Sequence, residues 1–214
     1  MPQEQTITGI EIKTIVFDLG GVYFTSGTQL TLGKVNERYQ INNWGALGRF
    51  FSSDPEKPGG MLRLGYITME EFEKRFFEKF GINEPEPTTL RKIWFSNYVP
   101  YHSLPQIVEK LSKKYRLIVF SGNIKERVEF LDDRYNFLKF FDDFVFSFDY
   151  AYNKRDKAFY EELIKHLECA PSEALVIDDQ YETVQMAKSN GIHTILFSFT
   201  EQLIEDLHSY GIEF

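Results

Sequence analysis

The sequence is short of cysteine and of clustered positive charge. Its one cysteine, Cys169, has no partner for a disulfide within the 214-residue chain, which suits a reducing cytoplasm. The 32 acidic residues outnumber the 24 Lys and Arg residues, and the best basic run, residues 110–116, directly precedes an apolar segment. Nucleic-acid binding needs clustered basic surface. We therefore expect a cytoplasmic protein that does not bind nucleic acid.

Long apolar runs are absent as well. No stretch approaches the ~20 apolar residues that a membrane-spanning helix needs. Residues 1–13 lack the basic start and the apolar stretch of a signal peptide. We expect neither a membrane span nor a secretion signal. What is present is ordinary for a globular protein, since 43% of the residues are hydrophobic and 26% are charged.

Five short apolar runs have the profile of buried strands, and helical patterns separate the last four. Such alternation of strands and helices is typical of an α/β protein with a mostly parallel sheet. We predict a Rossmann-like sheet with helices on both faces. The predicted strands are Ile12–Phe17, Leu117–Phe120, Phe144–Ser147, Ala174–Ile177 and His193–Phe197.

Between Phe24 and Pro100 the sequence shows helical patterns and loops instead of a core strand. The best-marked helix has Thr68 as its N-cap, phenylalanines at helical spacing and Gly81 as its stop. We therefore predict two domains, with a small helical cap inserted into the α/β core after the first strand. The predicted division is residues 1–24 and 100–214 for the Rossmann-like core, and residues 25–99 for the cap.

Polar residues follow four of the five predicted strands. In an open parallel sheet, ligands bind at the carboxyl ends of the strands, so we expect these residues to meet at one edge. Taken singly, each has a structural explanation as a helix cap, a turn or a surface residue. Together they favour a functional site. The residues are Asp18 after the first strand, Ser121-Gly122-Asn123 after the second, Lys154 beyond the third, and Asp178-Asp179 after the fourth.

This set of side chains suits phosphoryl transfer. Three carboxylates in one place repel one another unless a divalent cation neutralises them, and ligation by oxygen alone suits Mg²⁺. The metal and a lysine balance the charge of a phosphate dianion, while a serine hydroxyl and turn amides hold its remaining oxygens. A carboxylate on a rigid strand end can then attack phosphorus and divide hydrolysis into two easier steps.

Four segments, in order along the chain, resemble the motifs of the haloacid dehalogenase-like hydrolases. The sequences of these segments are most similar to the branch that contains the phosphatase domain of soluble epoxide hydrolase and small sugar-phosphate phosphatases. The helical segment after the first strand resembles the cap domain of that branch. The four segments are VFDLGGV (16–22), VFSGN (119–123), Lys154 within NKRDKAFY, and VIDDQYETVQMAK (176–188).

The resemblance implies a Mg²⁺-dependent phosphatase that acts on a small phosphorylated metabolite. It implies that Asp18 is the nucleophile and forms an aspartyl-phosphate. The metal would be held by the Asp18 side chain, the Gly20 carbonyl and a carboxylate of the Asp178-Asp179 pair, with Asp179 the first choice for direct contact. The residues implied to bind the transferring phosphate are Ser121, Gly122, Asn123 and Lys154.

Three positions depart from the family pattern. Gly20 stands where phosphatases of the family usually carry a second aspartate, which protonates the leaving group. Arg155 replaces the proline of the third motif, and Thr25 replaces an aspartate. Two alternatives therefore stay open: a member that binds a phosphorylated ligand or a protein partner without turnover, and a 2-haloacid dehalogenase, which needs neither acid nor metal. The substrate and the oligomeric state are not determined by the sequence.

Overall fold

Five short strands form one parallel sheet in the computed structural model of the chain, which describes residues 11–214. The strands are β1 (Thr14–Phe17), β2 (Arg116–Ser121), β3 (Asp143–Phe146), β4 (Ala174–Asp178) and β5 (His193–Leu196). Their order across the sheet is β3-β2-β1-β4-β5, and every neighbouring pair is parallel. The predicted α/β class with a parallel sheet is confirmed.

The strand boundaries fall within two residues of those predicted. The largest difference is that β1 begins at Thr14 instead of Ile12; the other bounds differ by at most one residue, and β3 ends at Phe146 because Ser147 begins a short helix. The prediction of no secretion signal concerned residues 1–13, and residues 1–10 of that segment lie outside the described part of the chain.

Five helices occupy the segment between β1 and the next core helix, as the absence of a strand pattern predicted. They are α1 (Gly27–Tyr39), α2 (Trp44–Phe51), α3 (Pro58–Arg63), α4 (Met69–Phe80) and α5 (Thr89–Phe95). Six more follow: α6 (Leu104–Leu111), α7 (Lys125–Tyr135), α8 (Ser147–Tyr150), α9 (Lys157–His166), α10 (Tyr181–Ser189) and α11 (Thr200–Ser209). Of the helices described, none is long and apolar enough to cross a membrane.

Helix α4 follows the signals that predicted it. The hydroxyl of Thr68 accepts a hydrogen bond from the backbone N–H of Glu71, which satisfies a donor at the open end of the helix. Phe72 and Phe76 are buried on one face. Gly81 ends the helix in the left-handed conformation, with φ of 63°.

The side chains of β1 alternate between two hydrophobic clusters, as a strand that is covered on both faces requires. Ile15 and Phe17 lie in a cluster that includes residues of α6, α7 and α11. Val16 lies in the opposite cluster, with residues of α9 and α10. Helices therefore cover both faces of the sheet, and the first cluster continues without a break into α1–α5.

The chain leaves and re-enters the sheet domain through one paired crossing. The N–H of Thr25 donates to the carbonyl of Val99 at 2.9 Å, and that of Tyr101 donates to the carbonyl of Tyr23 at 3.0 Å. The two segments are therefore held side by side at the ends of residues 25–99. The division into a core and a cap at these positions remains a prediction.

Candidate active site

The register of the sheet places the ends of β1 and β4 side by side. Phe17 pairs with Ile177, so Asp18 and Asp178 follow at the same level. The N–H of Asp18 donates to the carbonyl of Ile177 at 3.0 Å. Carboxylate oxygens of Asp18, Asp178 and Asp179 all lie within 4.8 Å of one another. The structure therefore brings together the three carboxylates that the sequence singled out.

Asp18 and Asp178 are buried and Asp179 is half-buried, and their oxygens are incompletely satisfied. Oδ1 of Asp179 is buried without a hydrogen-bond donor among residues 11–214, and Oδ1 of Asp18 is buried with the ammonium of Lys154 as its one neighbouring donor in that part of the chain. Burial, and then the negative charges of Asp18 and Asp178, raise the pKa of Asp179 to about 6. Buried lone pairs in an all-oxygen cluster are what a hard divalent cation satisfies. The residues present therefore fit a Mg²⁺ ion.

Lys154 supplies a positive charge beside two of these carboxylates. Its Nζ lies 2.6 Å from Oδ2 of Asp178 and 3.0 Å from Oδ1 of Asp18. Burial alone lowers the pKa of a lysine, but the two carboxylates outweigh it here, so the pKa of Lys154 is raised and the ammonium stays charged. The other oxygen of Asp178 accepts from the N–H of Gln180 at 2.8 Å. Asp178 therefore has both oxygens engaged, whereas Asp179 keeps a buried oxygen free of hydrogen bonds within the described chain.

The two glycines after Asp18 have different roles in the packing. Gly21 has a φ of +97°, and a Cβ built there would lie 2.2 Å from Oδ2 of Asp179. A side chain at position 21 is therefore excluded unless Asp179 moves. A Cβ on Gly20 would meet only Cε1 of Tyr98, at an ordinary contact distance of 3.7 Å. The close approach of the backbone to Asp179 therefore requires glycine at position 21, whereas position 20 has room for a Cβ.

The end of β2 presents a hydroxyl and a loop that is tied to neighbouring groups. Ser121 is buried, and its Oγ accepts a long hydrogen bond from Nδ2 of Asn123 at 3.4 Å. The backbone N–H of Asn123 is already used, because it donates to Oγ of Ser147 at 3.1 Å. A Cβ on Gly122 would meet no atom of the described chain within 4 Å, so the space beside its Cα is open. Asn123 therefore orients the loop, while Ser121 and Gly122 face a ligand more directly.

A cavity of about 560 Å³ lies over this edge of the sheet. All of the predicted site residues except Asp178 line this cavity. Asp178 is fully buried and lies behind Lys154. The sequence did not indicate three further residues that line the cavity, Arg63, Tyr98 and Arg127. Arg127 carried one signal, because it stands four residues before the buried Leu131 and so on the apolar face of α7.

Fold and site together define an α/β protein with an acidic centre at the carboxyl edge of a parallel sheet. The model of the haloacid dehalogenase-like hydrolases matches residues 12–191. The chain therefore belongs to the haloacid dehalogenase-like hydrolases, as its four motifs predicted.

The chain is also similar to individual known proteins. An uncharacterised protein of Dictyostelium discoideum is 28% identical over 169 residues, which are 75% of this chain and 69% of that protein. A predicted haloacid dehalogenase-like hydrolase of Porphyromonas gingivalis has a TM-score of 0.74 at 21% identity, over 95% of this chain and 99% of that one. A family enzyme of Bacteroides thetaiotaomicron, solved with magnesium and inorganic phosphate, has a TM-score of 0.73 at 20% identity, over 87% and 94%. At these identities the two solved structures establish the fold alone.

Proposed function

We propose that the protein is a Mg²⁺-dependent phosphatase that hydrolyses a small phosphorylated metabolite in the cytoplasm. The observation that carries the proposal is the convergence of Asp18, Asp178 and Asp179 around the ammonium of Lys154. Family membership supports hydrolysis. The magnesium and inorganic phosphate bound by the Bacteroides thetaiotaomicron relative support the metal and the phosphoryl group.

In the proposed reaction, a carboxylate oxygen of Asp18 attacks phosphorus as the bond to the leaving oxygen breaks. The resulting aspartyl-phosphate is then hydrolysed by water, which releases inorganic phosphate and restores Asp18. Lys154 and the hydroxyl of Ser121 bind the phosphoryl oxygens. Bound Mg²⁺, held by Asp18, the carbonyl of Gly20 and Asp179, supplies positive charge against the phosphoryl group. Asp178 holds Lys154 in place.

Gly20 restricts the substrates that suit this site. It leaves no carboxylic acid two residues after Asp18, and the neighbouring side chain is the ring of Tyr98, whose Cε1 lies 3.7 Å from a Cβ built on Gly20. A leaving oxygen must then depart without that proton donor. Aryl, acyl and anomeric sugar phosphates have better leaving groups than alkyl phosphates, so we expect them to be hydrolysed faster.

The absence of a carboxylic acid at Gly20 also favours a second candidate function, in which the protein binds a phosphorylated ligand or a partner without turnover. A dehalogenase reaction needs no metal, and the cluster of Asp18, Asp178 and Asp179 argues against it. The phosphatase needs Mg²⁺ and the dehalogenase does not, so chelation separates these two. The binding candidate differs from both because it releases no product.

The test is a panel of phosphorylated metabolites and haloacids assayed with Mg²⁺ and with EDTA. The proposal expects phosphate release that chelation abolishes and added Mg²⁺ restores. Halide release that is indifferent to EDTA would support the dehalogenase. Tight binding of phosphate esters without release of phosphate from any member of the panel would support the binding protein.

A further inference from the structure

The cavity contains two arginines that the proposed phosphoryl chemistry does not use. Arg63 ends helix α3, and Arg127 lies in the first turn of α7. Both line the cavity together with Asp18 and Lys154. Arg127 is only 3% exposed, and Arg63 is half-buried.

Neither arginine is neutralised by a carboxylate within residues 11–214. Every acceptor that binds their N–H groups is uncharged, so two positive charges remain in the cavity. Nη2 of each guanidinium has no hydrogen-bond partner in the described chain and is free for a ligand. The acceptors are the carbonyl oxygens of Phe51 and Gly59 for Arg63, at 3.3 and 2.7 Å, and Asn123 Oδ1 and the Tyr98 hydroxyl for Arg127, both at 2.7 Å.

The two guanidinium groups share one aromatic side chain. Cζ of Arg63 lies 5.5 Å from the ring centroid of Trp94, and Cζ of Arg127 lies 5.7 Å from it. A π face stabilises a cation but leaves its charge in place. Burial, and then the charge of Arg127, lower the pKa of Arg63 to about 10; burial lowers the pKa of Arg127, although Tyr98 and the negative charge of Asp18 oppose that change. Buried like charges cost free energy unless an anion joins them.

We propose that Arg63 and Arg127 form a subsite for a second anionic group of the substrate, either a carboxylate or a further phosphate. The inference rests on the proposed function, because the first anion is the phosphoryl group at Asp18 and Lys154. A cavity of about 560 Å³ has room for a whole small metabolite as well as its phosphate. Guanidinium groups bind both carboxylates and phosphates, and Nη2 of each arginine is left to donate to such an anion.

The positions of the arginines separate them from the transferring phosphate. Between Arg127 and the hydroxyl of Ser121 lies the side chain of Asn123, which is hydrogen-bonded to both. Between Arg127 and Gly20 lies the ring of Tyr98. The phosphoryl group has its own cation in Lys154. The arginines are therefore placed to hold another part of the ligand.

The test measures binding in the absence of turnover. Asp18→Asn protein with Mg²⁺ is titrated calorimetrically with alkylphosphonates, and with phosphonocarboxylates and diphosphonates of the same chain lengths. We expect one of the two doubly anionic series to bind at least about tenfold more tightly than the alkylphosphonates, the factor that one charged hydrogen bond provides. Which series it is identifies the second group as a carboxylate or a phosphate.

Variants assign that preference to the arginines. In the Asp18→Asn background, Arg63→Gln should remove the preference and leave alkylphosphonate binding unchanged, and Arg63→Lys should keep part of it. Arg134→Gln, which removes a positive charge from the exposed side of the same helix as Arg127, is the matched control. Equal affinity for singly and doubly anionic ligands would overturn the subsite. So would an Arg63→Gln variant that weakens both series alike.

The phosphatase proposal is tested separately, by turnover of p-nitrophenyl phosphate with unaltered Asp18. If that turnover is absent but the calorimetric preference is present, the phosphatase proposal fails and the anion subsite stands. If turnover is present and the preference is absent, the subsite fails alone.

Discussion

Two groups of side chains at one cavity carry opposite charge and are assembled differently. We call Asp18, Lys154, Asp178 and Asp179 the aspartate wall, and Arg63, Trp94, Tyr98 and Arg127 the arginine wall. The three aspartates of the aspartate wall follow the adjacent ends of β1 and β4, whose register places them level, and Lys154 reaches them from the loop between α8 and α9. The arginine wall comes from three separate segments and is held by side-chain contacts around one tryptophan.

The walls also differ in how their charge is balanced. Three carboxylates and one lysine leave the aspartate wall two negative charges, which a single divalent cation offsets. The arginine wall has two positive charges, and no carboxylate of the described chain is hydrogen-bonded to either of them. The difference indicates a division of roles, with phosphoryl chemistry and metal at the aspartate wall and recognition of the rest of the ligand at the arginine wall.

The largest expected effect comes from removing the nucleophile of the aspartate wall. Asp18→Asn should lower kcat by roughly 10⁴- to 10⁶-fold, the range seen when enzymes lose a member of a nucleophilic group, because an amide cannot attack phosphorus. The fold and the arginine wall should be unchanged, so the melting temperature should stay close to that of the parent. Asp133→Asn, at an exposed position on α7, is the control and should have parental activity. Full turnover by Asp18→Asn would exclude an aspartyl-phosphate on Asp18.

The contrast between the walls also explains what the sequence could predict. Strand ends of a parallel sheet converge whatever the loops do, so Asp18, Asp178 and Lys154 were recognisable from their places after apolar runs. Strand boundaries were predictable to within two residues because β-branched and apolar runs end where polar residues begin. The motif order then led to the family.

The arginine wall was not predictable in this way. Its contacts join α3, α5 and α7 through side chains, and no spacing along the chain encodes that packing. Arg63 gave no signal at all, since it ends a short helix in a segment with no strand to anchor it. The distinct roles of Gly20 and Gly21 could not be predicted from the sequence either, because only the backbone angle of Gly21 and the position of Asp179 distinguish the two glycines.

The second prediction concerns the variant Gly20→Asp, which introduces a carboxylic acid two residues after Asp18. Position 20 has an ordinary backbone conformation, and a Cβ there meets only the ring of Tyr98, so Gly20→Asp should fold. The new carboxylic acid should raise kcat for alkyl phosphates within the ~10²–10⁴-fold range of a positioned proton donor. Aryl phosphates should change little, because their leaving groups need no proton. Gly20→Asn matches the size without the acid and should show no gain.

One result would turn this prediction against the phosphatase proposal. If Gly20→Asp folds, binds Mg²⁺ and still releases no phosphate, the missing acid is not the reason for low activity. The candidate function of binding without turnover would then be the better account of the aspartate wall.

The third prediction tests the metal side of the comparison. Asp179→Asn should weaken Mg²⁺ binding by at least the roughly 10- to 100-fold that loss of an outer-shell partner costs a metal site. Isothermal titration with Mg²⁺ measures this. Glu182→Gln, an exposed charge change three residues along the chain, should leave the affinity unchanged. Unaltered Mg²⁺ affinity in Asp179→Asn would instead assign the direct contact to Asp178.

The same variant has a stability signature with a definite sign. The pKa of Asp179 is raised to about 6 by burial and by the neighbouring carboxylates, so the unfolded state loses this proton first as the pH rises. The ionised carboxylate therefore destabilises the metal-free fold, starting near pH ~4 and reaching its full cost above pH ~6. In EDTA, Asp179→Asn should melt at a higher temperature than the parent at neutral pH, and the difference should close towards acid pH.

The smallest expected effect comes from removing the hydroxyl of Ser147, which joins Arg63 of the arginine wall to the loop after β2. This buried hydroxyl donates to the carbonyl of Arg63 at 2.6 Å and accepts from the N–H of Asn123 at 3.1 Å. Ser147→Ala leaves both groups without this partner, so we expect a loss of about 1–3 kcal/mol in the free energy of unfolding. Urea unfolding measures the loss, with the m-value unchanged if the folded state stays compact.

A matched control shows whether that loss belongs to the connection itself. Ser189→Ala removes an exposed hydroxyl that donates to the carbonyl of Gln185 within its own helix, and it should cost no more than about 0.5 kcal/mol. In Ser147→Ala, Arg63 loses its anchor to the β2 loop while the strand ends keep theirs. KM for doubly anionic phosphate esters should therefore rise a few-fold, and KM for p-nitrophenyl phosphate should not. If both KM values rise together, Ser147 supports the aspartate wall through Asn123, and the two walls act as one unit.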